Sequence, residues 1–146
     1  FNEESDETMQ LRSAILDTLG ALYILKKDWD NAIGNLKSAH EYDRLLMTRG
    51  QTDEIGYRLT CSNLGYALVQ RCNELLDVEG TAVNISGIEE DLKNAKNLFM
   101  MVEVDTPPQV PENQLKDLEL LAALKRMKKG LSLCEEVRKK LQKRLI

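Results

Sequence analysis

Three observations predict an all-α fold for this chain of 146 residues. Apolar side chains recur at three- and four-residue spacing almost throughout, the period of a helix buried on one face. Glycine and proline, which interrupt helices, number only 8 and 3. A Leu-Gly pair, Leu19-Gly20, returns as Leu64-Gly65, each time within a helical stretch. With 42% hydrophobic residues the chain can build one compact core, and it is short for two ordinary domains, so residues 1–146 are read as a single domain.

The elements follow in order. Leu11, Ile15, Leu19, Leu22 and Tyr23 mark the apolar face of a first helix over about 9–27. Asp28-Trp29-Asp30 forms a turn whose short acidic side chains can cap the next helix. That second helix turns Ala32, Ile33, Leu36, Ala39 and Tyr42 inward and ends near Arg49-Gly50, where glycine can take the left-handed conformation. A third helix, about 53–78, carries Ile55, Leu59, Leu64, Leu68, Leu75 and Leu76. Residues 79–87 read as a loop, closed by Ser86-Gly87-Ile88-Glu89 as a capping box. That box explains Ser86 better than the glycosylation sequon Asn84-Ile85-Ser86 does. A fourth helix running to about Glu103 buries Leu92, Ala95, Leu98 and Phe99, and Pro107, Pro108 and Pro111 stop it. Residues 112–146 supply one or two further helices, with Gly130 the ambiguous point, for about six in all.

Charge is segregated along the chain. The total of −4 comes from 24 acidic and 20 basic residues, which excludes an overall polycation. Lys125 to Arg144 nevertheless holds nine Lys/Arg against Glu135 and Glu136, a local +7 beside −11 for the remainder. No apolar run approaches the roughly 18–20 residues of a membrane span. Cys61, Cys72 and Cys134 have no metal-site spacing with each other or with His40, the single histidine. They are expected to be small buried apolar residues, which favours a reducing, cytoplasmic setting. Because the chain begins at Phe1, it is expected to be a fragment whose upstream targeting segment could be missing.

Around the first Leu-Gly pair stand Leu16, Leu19, Gly20, Tyr23, Trp29, Ala32, Leu36 and Ala39. The small residues let two helices approach, and the large ones fill the space between them. This pattern resembles the tetratricopeptide repeat, a helix–turn–helix of 34 residues. The second copy keeps Asn63-Leu64-Gly65, has Leu68 where the pattern prefers tyrosine, and reaches Ala95 and Phe99 only after an insertion. Its Leu-Gly pair lies 45 residues from the first. The resemblance implies antiparallel helical hairpins stacked as a short right-handed solenoid. Repeat one covers 9–49, and repeat two covers 53–103 with an extended helix and the 79–87 loop. Residues 112–146 form a degenerate repeat or capping helix.

What the resemblance implies for function is a protein–protein interaction module, an adaptor or assembly subunit that binds a partner's peptide or helix in a concave groove. The groove positions are Asp17, Thr18 and Ala21 from the first helix and Ser62, Asn63, Tyr66 and Gln70 from the third. Asn63 could donate to and accept from a bound backbone, or it could brace neighbouring helices. Repeats that hold the C-terminal carboxylate of an Hsp70/Hsp90 chaperone need lysine and asparagine where this chain has Asp17 and Ala21, so that partner is disfavoured.

Leu120, Leu124, Met127, Leu131, Cys134, Leu141 and Leu145 follow the 4-3 alternation of a heptad, broken at Arg138. A heptad surface of Leu124, Met127, Leu131 and Leu141 either closes the solenoid or forms a seam for a homo-oligomer. Binding of anionic lipid or nucleic acid by this basic helix ranks below both, because no aromatic residue lies between Pro111 and Ile146. No catalytic constellation is evident. His40 is expected on an outer helix face, the pairs Glu89–Glu90 and Glu135–Glu136 diverge on a helix, and Gly80 and Gly87 stand alone rather than in a phosphate loop. Neither an enzyme nor a cofactor nor a metal site is expected.

Overall fold

The computed structural model describes residues 5–51, 53–78, 84–103 and 114–145. They form five helices: α1 (Asp6–Leu25), α2 (Trp29–Thr48), α3 (Glu54–Asp77), α4 (Ile85–Met100) and α5 (Gln114–Arg144). The sequence count of six divides the C-terminal region in two; among the described residues it is one helix that runs through Gly130. Pro107, Pro108, Pro111 and most of the loop before α4 lie outside the described residues.

Short polar side chains start the first four helices. Ser5, Asp28, Asp53 and Asn84 each accept the backbone N–H three residues on, satisfying a donor that the first helical turn leaves open. Trp29 is therefore the first residue of α2 rather than part of a turn. Asn84, not Ser86, caps α4: its Oδ1 receives the Gly87 N–H at 2.9 Å, and Ser86 is exposed in the first turn. An asparagine side chain reaches that amide as well as a serine would, so the helix starts two residues earlier than the capping box implies. The end of α2 is as expected. Gly50 has φ +68°, its N–H bonds to Met47 O at 3.1 Å, and Gln51 N bonds to Leu46 O at 2.9 Å. Lys27 makes the same turn after α1 with φ 59°, a conformation that costs a side chain where it does not cost glycine.

Successive helices run antiparallel. Arg49 at the end of α2 pairs with Asp6 at the start of α1 (3.0 Å), and Arg71 late in α3 reaches Asp30 early in α2 (3.2 Å) and Asp91 early in α4 (3.0 Å). The last helix runs parallel to α3. Lys116 meets Asp53 at 2.8 Å near one end, and Arg144 donates to the Leu76 and Val78 carbonyls at 2.8 and 2.7 Å near the other. In between, Lys140 reaches Asn73 and Asp77, both at 2.7 Å. Much of the basic charge of α5 thus fastens it to α3. Lys125, Lys128, Lys129, Lys139 and Lys143 remain exposed.

The two Leu-Gly pairs make equivalent contacts. Gly20 in α1 faces Leu36 in α2, and a methyl group there would overlap the leucine. Gly65 in α3 faces Phe99 in α4, where an added Cβ would stand 2.6 Å from the ring. The ring's other neighbour is Gly130 in α5, where a methyl would overlap it as well. Phe99 is 1% exposed and therefore occupies one slot shared by α3, α4 and α5.

The sequence reading places α1 the wrong way round. Leu11, Ile15, Leu19 and Leu22 are exposed, at 62, 50, 39 and 50%, and the buried face is Met9, Ser13, Gly20 and Ile24. Apolar periodicity gives the direction of a stripe, but packing goes where the backbone can approach most closely, and Gly20 supplies that side. In α3, Leu75 is likewise exposed while Leu76 is buried. His40, expected on an outer face, is half-buried and stacks on Tyr57 with ring centres 5.4 Å apart. Burial, with Arg44 nearby, lowers its pKa below the usual histidine value.

Phe99→Ala should destabilise the fold by about 3–5 kcal/mol in urea unfolding, as for a large aromatic lost from a closed core. Gly130→Ala should also destabilise it, and adding Phe99→Leu should recover part of that loss. Independent, additive effects of the two substitutions would contradict the shared slot.

Candidate functional site

A cleft of about 480 Å³ opens between α1, α2, α3 and the first turns of α5. Its wall carries Asp17 and Thr18 from α1, Asp43 from α2, Asp53 at the N-cap of α3, and Lys116 and Glu119 from α5. Four carboxylates and one ammonium make it an acidic recess.

Two of these carboxylates are short of donors. Ser13 donates to Asp43 Oδ1 at 2.5 Å, while Asp43 Oδ2 is buried without a partner. Thr60 and Asn63 flank Asp17, yet its Oδ1 is also buried and unpartnered. The Thr60 hydroxyl stands by both carboxyl groups, but it has one proton, and the Gly56 carbonyl takes it at 3.1 Å. Burial consequently pushes the Asp17 carboxyl up to about 6 from an ordinary 3.8, the neighbouring Thr60 hydroxyl and Asn63 amide only partly opposing it. Asp43 is raised as well, also mainly by burial. Asp53 moves the other way: burial would raise it, but Lys116 and the Gly56 amide together outweigh that and hold it below the ordinary value.

The groove residues expected from sequence divide between two settings. Asp17 and Thr18 line the cleft, Thr18 exposed with its hydroxyl donating to Ala14 O at 2.9 Å. Ala21 is half-buried on the same helix. Three of the α3 residues, Ser62, Asn63 and Tyr66, are buried, and Gln70 is half-buried. Ser62 is fully buried and donates to Leu59 O at 2.8 Å, and Asn63, 4% exposed, lies against Asp17. Tyr66 is buried under the Arg126 guanidinium, 4.7 Å above its ring centre, with Trp29 edge-on at 6.2 Å. Gln70 donates to the Tyr66 hydroxyl at 2.8 Å. Of these four residues, Ser62, Asn63 and Tyr66 are buried, and Tyr66 meets α5 through Arg126. Sequence reasoning missed Asp43, Asp53, Lys116 and Glu119, since no local motif joins carboxylates from four separate segments.

The heptad surface is turned inward. Leu124, Met127 and Leu141 are buried, and Leu131 is partly buried against the core. The seam proposed for a homo-oligomer is used within the chain. The three cysteines are buried as expected, and burial pushes their thiols up to about 12 for Cys61 and Cys72 and about 11 for Cys134. Among the described residues no helix is long and apolar enough to cross a membrane.

Comparison with known proteins finds no family model, no curated protein and no solved structure that matches this chain.

The raised Asp17 carboxyl has a signed consequence. The folded chain keeps its proton where the unfolded chain has already lost it. The resulting stabilisation is complete below the ordinary carboxylate pKa and is lost as pH rises through about 6. Asp17→Asn, which mimics the neutral form, should be more stable than the native chain at pH 7 by about 2–3 kcal/mol and nearly equal to it at pH 3.5. Urea unfolding at the two pH values measures the difference, and a constant difference would show that folding leaves the Asp17 pKa at its ordinary value.

Proposed function

We propose that this chain is a protein–protein interaction module, built of stacked hairpins in the manner of tetratricopeptide repeats, that takes a segment of a partner protein into the acidic cleft. A lysine or arginine of that segment is set against Asp17 and Asp43. The observation that carries this reading is the pair of buried carboxylate oxygens, Asp17 Oδ1 and Asp43 Oδ2, that find no donor among the described residues. A buried acceptor without a partner is costly, and an ammonium or guanidinium supplies both the missing donors and the opposite charge. The hairpin arrangement is supported by the matching contacts of Gly20 with Leu36 and Gly65 with Phe99.

An adaptor or assembly role fits this reading, as does the absence of a basic clamp. The acidic wall repels a chaperone's C-terminal carboxylate, in line with Asp17 standing where such clamps carry lysine. Self-association through the α5 heptad is disfavoured because that surface is already covered. Phosphate backbones and anionic lipid would meet repulsion at the cleft.

Peptides selected by display against the immobilised chain should be enriched in lysine and arginine. Thr18→Arg, which fills the exposed wall, and Glu119→Lys, which reverses its charge, should each weaken their binding by roughly tenfold with the helical circular dichroism unchanged. Peptides without basic enrichment, or affinities indifferent to both substitutions, would remove the cleft from consideration.

A further inference from the structure

The outer face of α1 carries a long exposed apolar stripe: Leu11, Ile15, Leu19, Leu22 and Leu25. It borders the cleft along one edge: Thr18 of the cleft wall stands four residues before Leu22 and seven from both Leu11 and Leu25. The internal repeat says what such a face receives. The register that superposes Gly20 on Gly65 sets Ile15, Leu19, Leu22 and Lys26 on Thr60, Leu64, Ala67 and Arg71. In α3 all three of the uncharged positions are buried. Thr60 lies by Asp43 of α2, and Leu64 shares a recess with Lys37, His40 and Arg44 of α2. At the end of the same line Arg71 pairs with Asp30, in the first turn of α2. The face that α3 gives to α2 is thus present on α1, more apolar, and its leucines and Ile15 are exposed among the described residues.

We propose that this stripe is a docking surface for an amphipathic helix of a partner protein, lying antiparallel to α1 as α2 lies to α3, with an acidic residue in its first turn set against Lys26. The charge argues against a second copy of this chain docking through α4. Matching Phe99 to Leu36 places Lys93 of α4 where α2 has Asp30, so lysine would meet lysine. The apolar contact supplies affinity, and the terminal ion pair fixes the direction of the helix.

The probe is a fluorescein-labelled peptide of residues 28–48, the helix that already covers the matching face of α3, held helical by a staple between the exposed positions 41 and 45. Fluorescence anisotropy with the full chain should show saturable binding, weakened roughly tenfold by Leu22→Glu. Lys26→Glu should weaken it about threefold and be rescued by a peptide carrying Asp30→Lys. Leu22 and Lys26 are exposed, so unchanged thermal melts should accompany both variants. Glu119→Lys, on α5, should leave this binding intact, which separates the stripe from the cleft. No saturable binding by the native chain, equal binding by Leu22→Glu, or loss of the Lys26 effect without charge-swap rescue would overturn the proposal. So would a concentration-dependent dimer in sedimentation that Leu22→Glu converts to monomer, because the occupant would then be a second copy.

Discussion

One aromatic ring holds the C-terminal half of this protein together. Phe99 enters a slot with Gly65 on one side and Gly130 on the other, so three helices meet where two of them have no side chain. Dispersion contacts fall off steeply with distance, and the ring gains most when backbone lies directly against it. The arrangement also fixes the register of α5. Once Gly130 is seated, Arg126 comes over Tyr66, Lys140 reaches Asn73 and Asp77, and Arg144 arrives at the open carbonyls ending α3. Surface ion pairs of this sort contribute little individually. Their value here is directional, because they favour α5 lying parallel to α3 and covering it.

That cover determines what is left for a ligand. Tyr66 of α3 lies beneath Arg126 of α5, and near the start of α5 the packing opens into the acidic cleft. The cleft concentrates carboxylates from α1, α2, the α3 cap and α5, with Lys116 offsetting one of them. The segregation of charge in the sequence thus has two structural meanings. The basic excess of the last helix is partly consumed in holding it down, and the acidic excess of the body is partly gathered at one opening.

The helices, their hairpin order and the close crossing at each Leu-Gly pair were legible in the sequence, because a helical period and a missing side chain at a crossing are both local signals. Asp28 and Gly50 were legible for the same reason. Gly130 was not: it reads as an ambiguity in a long helix, and its meaning comes from a ring 31 positions away in another helix. The orientation of α1 was misread because Leu11, Ile15, Leu19 and Leu22 make a better apolar stripe than Met9, Ser13, Gly20 and Ile24. Close backbone approach decided the side, and Ser13 could be buried because Asp43 accepts its proton. Within the candidate site, Asp17 and Thr18 were found through repeat positions. The other carboxylates converge only through tertiary packing, as does Arg126 of α5 over Tyr66.

The cysteines give the molecule a built-in clock. Cys61 and Cys72 lie on the central helix and Cys134 lies on the helix that covers it, all sealed from solvent as neutral thiols. A cysteine attacks a disulfide reagent as its thiolate, a form the fold suppresses, so modification must wait for the helices to part. The labelling rate of Cys134 then reports how often α5 lifts, and that of Cys61 and Cys72 reports how often the central helix is laid bare. Coincident rates would identify α3 and α5 as one cooperative unit, timed by thiols the native chain already carries.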